Sequence, residues 1–79
     1  MPRVLGDEIR EARLAARLTQ EQLAFSARVS RNYISLLELG AKSPTVATLM
    51  RIASALGVRA SGLLARAEER ESKKQVRRR

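Results

Sequence analysis

The sequence has no cysteine and no histidine, and only two aromatic side chains, Phe25 and Tyr33. Without cysteine, no disulfide framework can brace a chain of 79 residues, and the usual zinc ligands are missing as well. Nucleophilic catalysis through a thiol or an imidazole is excluded for the same reason. A carboxylate- or lysine-based enzyme stays formally open. A domain this small, however, has little room for a ligand cavity of ordinary volume. No enzymatic activity, cofactor, metal or small-molecule ligand is therefore expected. The core has to be assembled from Leu, Ile, Val, Met and Ala, and a chain this short buries only about 60% of its unfolded surface. No run approaches the ~20 apolar residues of a membrane span, and the N-terminus carries no apolar signal core. These absences lead to the expectation of a cytoplasmic protein with no membrane partner.

Acidic charge is also scarce. Eight Asp and Glu face sixteen Lys and Arg, a net of +8. Residues 70–79 alone hold six cations and one anion, leaving a milder excess on the preceding 69 residues. Such a balance calls for an anionic partner, nucleic acid before an anionic membrane surface.

The periodicity predicts an all-α fold of five helices in a single domain, residues 1–69, followed by a tail. The first helix is expected over Leu5–Arg17, with Leu5, Ile9, Ala12, Arg13 and Ala16 on one face and Asp7 and Glu8 in the first turn, where the macrodipole favours negative charge. Thr19 followed by Gln22 has the pattern of a capping box and opens a short second helix, Gln20–Ala27. Arg28 and Val29 form a tight turn. Ser30 caps a third helix, Arg31–Leu39, which Gly40 stops. Thr45 caps a fourth helix bearing the stripe Val46, Leu49, Ile52, Ala53 and Leu56, ended by Gly57. A fifth starts near Ala60 and carries Leu63, Leu64 and Ala67. From Arg70 the apolar face is gone except for Val76, so residues 70–79 are expected to be a frayed helix end and a disordered basic tail.

Two short helices joined by a tight turn form a helix-turn-helix arrangement, in which the second helix lies in the major groove of DNA. Leu23, Ala24, Val29, Ile34 and Leu37 are spaced to pack the two helices at a steep angle, with Ala24 small where they approach. Arg31, Asn32 and Ser35 project opposite the Ile34 and Leu37 core. Arg pairs with guanine O6 and N7, Asn with adenine N6 and N7, and Ser with either.

The runs Leu18-Thr19-Gln20-Glu21-Gln22-Leu23-Ala24, Val29-Ser30-Arg31-Asn32-Tyr33-Ile34-Ser35, Leu37-Glu38, Gly40, Ser43-Pro44-Thr45, Leu49, Ile52-Ala53 and Ala55-Leu56-Gly57-Val58 resemble the Cro/CI-type (lambda-repressor-like, Xre) helix-turn-helix family. The resemblance covers about residues 5 to 68. It implies a five-helix domain, usually dimeric, that acts on operator DNA. It also implies a phosphate-contacting Gln20, at a helix N-terminus where free amides favour phosphate, and a partly buried, structural ion pair between Arg13 and Glu38.

The expected DNA surface is then Arg31, Asn32, Ser35 and Leu36 at base edges, with Thr19, Gln20, Tyr33, Lys42, Ser43 and Thr45 at phosphates. Two positions stay open. Tyr33 either stacks on the fold or reaches a phosphate. Leu36 either meets a thymine methyl or joins Leu39 in an apolar patch for a protein partner. Arg28, where relatives often have Gly or Asn, must accept a left-handed backbone at some cost, or the turn differs. A homodimer through the fifth helix is expected, using Ala60, Leu63, Leu64 and Ala67, with part of that set covering the core instead. The leading reading is a sequence-specific, DNA-binding transcriptional regulator. The alternatives are an antitoxin-like protein-interaction module and a nonspecific binder of anionic surfaces driven by residues 70–79.

Overall fold

The computed structural model describes residues 1–77. Among them are five helices and no strand: α1 Pro2–Ala15, α2 Gln20–Ala27, α3 Arg31–Glu38, α4 Val46–Leu56 and α5 Ala60–Arg77. α1 packs on α3 and α5, α2 on α3 and α4, and α4 on α5. The core is aliphatic, as the scarcity of aromatics requires. Ile9, Leu23, Ile34, Ile52 and Leu63 are wholly buried, one from each helix.

Local chemistry explains most boundaries. Thr19 Oγ1 accepts from the Gln22 N–H, and Gln22 Oε1 accepts from the Thr19 N–H, so the capping box is reciprocal. Ser30 and Thr45 accept from the N–H three residues on and start α3 and α4. Gly57 ends α4 in the left-handed region. Arg28 does adopt that region, with φ 63°, which is the strained turn expected from the sequence.

α1 differs. It begins at Pro2, whose fixed φ suits the first helical position, and it ends at Ala15. Arg17 turns left-handed (φ 61°), while the Arg17 and Leu18 N–H groups bond back to Leu14 and Arg13. Asp7 and Glu8 therefore lie beyond the first turn, and Glu8 is buried. Of the expected face, Leu5, Ile9 and Arg13 are buried, Ala12 is half-buried and Ala16 is exposed at the helix end. α3 stops at Glu38, one residue short of expectation. Val46, placed on the core stripe of α4, is 76% exposed, because that stripe closes around Leu49, Ile52, Ala53 and Leu56 instead.

α5 extends from Ala60 to Arg77, past Arg70, where the sequence reading begins the basic tail. Its continuation is tied to α1 by charge. Arg66 and Arg70 both donate to the Glu8 carboxylate, Arg70 also reaches Glu11, and the terminal amine of Met1 lies 3.6 Å from Glu71. Burial raises the affinity of Glu8 for a proton, but the bonds from Arg70 and Arg66 outweigh it and hold the group below its ordinary value. Arg78 and Arg79, assigned to the same tail, lie outside the described residues.

Candidate nucleic-acid interface

α2 and α3 form a helix-turn-helix corner backed by buried aliphatic side chains. Leu23 and Ala24 of α2 and Ile34 and Leu37 of α3 face inward, with Val29 half-buried in the turn. The turn closes through the Val29 N–H, which donates to the Ala24 carbonyl at 3.0 Å. From α4, Arg51 Nε donates to the Ala27 carbonyl at 3.0 Å and satisfies the end of α2. Nothing in the sequence singled out Arg51, because its partner is a backbone atom on another helix.

Burial of Ile34 and Leu37 leaves the opposite edge of α3 outward. Arg31 and Asn32 are exposed, Ser35 and Leu36 are half-buried, and Leu39 is 67% exposed. The expected base-reading set thus shares one surface, and Leu39 adjoins it.

Behind this edge, Arg13 and Glu38 form a buried two-point ion pair: Arg13 Nε to Glu38 Oε2 at 2.7 Å and Arg13 Nη2 to Glu38 Oε1 at 3.1 Å. Arg13 Nη1 also donates to the Leu18 carbonyl at 2.9 Å. Gln20 joins the pair, its Nε2 donating to Glu38 Oε1 at 3.1 Å. No buried side-chain nitrogen or oxygen among the described residues lacks a partner.

An open groove of about 740 Å³ runs between the end of α1 and the starts of α2 and α3. Its walls include Thr19, Gln20 and Arg31, all expected DNA contacts, and Arg17, which is not among them. The sequence places Arg17 in the last turn of α1, whereas its left-handed backbone carries it into the connection and onto this wall.

The remaining phosphate candidates are set as follows. Tyr33 is half-buried against the core, with Lys42 Nζ 5.7 Å from its ring centroid, within the range of a cation–π contact. Lys42 and Ser43 are exposed in the loop after α3, and Thr45 is occupied as the cap of α4. Of the expected dimer set, Leu63 and Ala67 are 0% exposed in the single chain, so the core takes them. An apolar stripe on α5 has to close the bundle over α1 and α4, and these two residues supply it. Leu64 (40% exposed) and half-buried Ala60 remain at the surface.

A helix-turn-helix family model matches residues 9–63. The immunity repressor protein of Bacillus phage phi105 is 37% identical over 60 residues, which cover 76% of this chain and 42% of that protein. Control protein C.BamHI of Bacillus amyloliquefaciens is 36% identical over 62 residues, covering 77% of this chain and 76% of that protein. In three dimensions the chain resembles the crystal structure of the clp gene regulator ClgR from Corynebacterium glutamicum, with a TM-score of 0.91 at 28% identity over 98% of this chain and 82% of the other.

Proposed function

The chain belongs to the Cro/CI-type (Xre) helix-turn-helix family of DNA-binding transcriptional regulators, and on that premise we propose that it binds operator DNA as a homodimer with α3 in the major groove. The observation that carries this reading is the polar edge of Arg31, Asn32 and Ser35, turned outward by a corner locked from behind. In this reading Arg31 and Asn32 read purine edges and Leu36 takes a thymine methyl. Thr19, Gln20, Tyr33, Lys42 and Ser43 hold the flanking phosphates, and those contacts set register without reading sequence, while the Thr45 hydroxyl is spent on the α4 cap. Leu64 and Ala60 form part of the contact between the two copies. Two copies related by a twofold axis would place their α3 helices about 34–36 Å apart, one turn of DNA.

Selection of bound sites from random duplexes tests the proposal. The expected result is a site with twofold symmetry, with half-sites spaced by one turn, protected in a footprint. Sedimentation should show two chains per site. Uniform binding of all duplexes, or none at low salt, would overturn it.

A further inference from the structure

The Glu38 side chain is 4% exposed and joins three helices, since Arg13 of α1 and Gln20 of α2 both bond a carboxylate carried by α3. A carboxylate only accepts hydrogen bonds, whereas a carboxamide has a donating end and an accepting end. The contact therefore admits one orientation of the Gln20 amide, nitrogen toward Glu38 and oxygen away. One N–H of that nitrogen is used by Glu38, and the other diverges from it. Gln20 is half-buried on the wall of the groove that Arg17 and Arg31 also line.

We propose that Glu38 is a positioning residue for DNA binding: by fixing the Gln20 amide, it presents the second N–H as a donor to a phosphate oxygen seated in the groove between α1, α2 and α3. The role rests on the DNA-binding reading above, yet it makes a separate demand. Judged by charge alone, a carboxylate near an incoming phosphate opposes binding, so removing it should tighten the complex. Positioning has the opposite sign. An oriented donor is lost when the fixed acceptor goes, because a carboxamide at position 38 offers one accepting oxygen where the carboxylate offers two, and Arg13, which only donates, competes with Gln20 for it.

The test compares duplex affinity at low salt for the wild-type chain, Glu38→Gln, Gln20→Met and the double variant, each held well below its own unfolding midpoint. Glu38→Gln should bind about threefold to tenfold more weakly, the loss of one ordinary hydrogen bond, although it removes a negative charge. Gln20→Met should lose a similar factor, and the double variant should bind no more weakly than Gln20→Met. Affinity of Glu38→Gln equal to or above wild type overturns the role, as does an undiminished loss in the Gln20→Met background.

Should Glu38→Gln fail to fold, the side-chain amide resonances of Gln20 in wild-type protein decide the matter. They should be dispersed and ordered, and should shift when duplex is added. Resonances averaged like those of the unfolded chain overturn the role. A wild-type chain that binds no duplex overturns the DNA reading itself, and this role with it. Wild-type binding with an unaffected Glu38→Gln overturns only the role of Glu38.

Discussion

A β-carbon built on Gly6 would lie 2.2 Å from the carbonyl oxygen of Leu37, because α1 meets α3 there with no room for a side chain. Glu38 follows Leu37 directly, so this close approach also helps bring Arg13 of α1 within reach of its partner. Alanine is the better helix former by about 1 kcal/mol, but the obstacle at Gly6 is backbone and cannot swing aside. Gly6→Ala should therefore destabilise the protein, by about 1–3 kcal/mol or more as overpacking usually does. Urea unfolding reads the difference, and an unchanged or raised midpoint would refute the tight crossing.

Truncating Glu38 leaves the Arg13 guanidinium buried without its counter-ion. Glu38→Ala should cost about 3–5 kcal/mol, the usual penalty for breaking a buried pair. Exposed Glu68 provides the comparison, and Glu68→Ala should stay within about 0.5 kcal/mol of wild type. Equal melting temperatures for the two variants would show that the ion pair carries no stability.

Glu8 ties folding to pH. Its proton affinity is lowered in the folded chain, below an ordinary value of 4.5, by Arg66 and Arg70 from α5, with Glu11 sharing Arg70. The unfolded chain therefore takes up the proton first as the solution is acidified. The contribution of Glu8 is present in full above that ordinary value and is lost as pH falls below it. In Glu8→Gln the stability curve should be flatter over this acidic range than in wild type. Parallel curves would remove the linkage.

Two turns test backbone strain in opposite directions. Gly57 has φ 73° and nothing within 4 Å of an added β-carbon, so Gly57→Ala isolates the conformational cost, about 1–2 kcal/mol for a left-handed residue. Arg28 already bears that cost at φ 63°. Arg28→Gly should recover roughly 0.5–1 kcal/mol after the added freedom of the unfolded chain is subtracted. A loss of stability in Arg28→Gly would mean that its side chain is worth more than the strain.

Charge removal at two places should affect DNA binding differently. Arg31→Ala should relax preference at one base position, by about 1–3 kcal/mol, with little change in salt dependence. Deleting residues 71–79 should weaken specific and nonspecific duplexes alike and make the salt slope shallower. Complete loss of binding in the truncated chain would shift the weight to the anionic-surface reading.

Several features were legible in the chain because they are local. The capping box at Thr19 and Gln22, the caps at Ser30 and Thr45, the left-handed Arg28 and the glycine after α4 depend on neighbours within about four residues. The same periodicity identified the corner and its outward edge. The Arg13–Glu38 pair came from the family resemblance, since no local pattern links residues 25 apart. Other features came only with the assembled fold. Glu8 read as a helix-start charge until α5 brought Arg66 and Arg70 onto it from 58 and 62 positions away. The sequence leaves Ala60, Leu63, Leu64 and Ala67 divided between core and interface, and only the assembled bundle assigns Leu63 and Ala67 to the core. Sequence spacing settles which residues share a face. Which face meets which partner is a property of helix crossings, and crossings depend on the packing of all five elements at once.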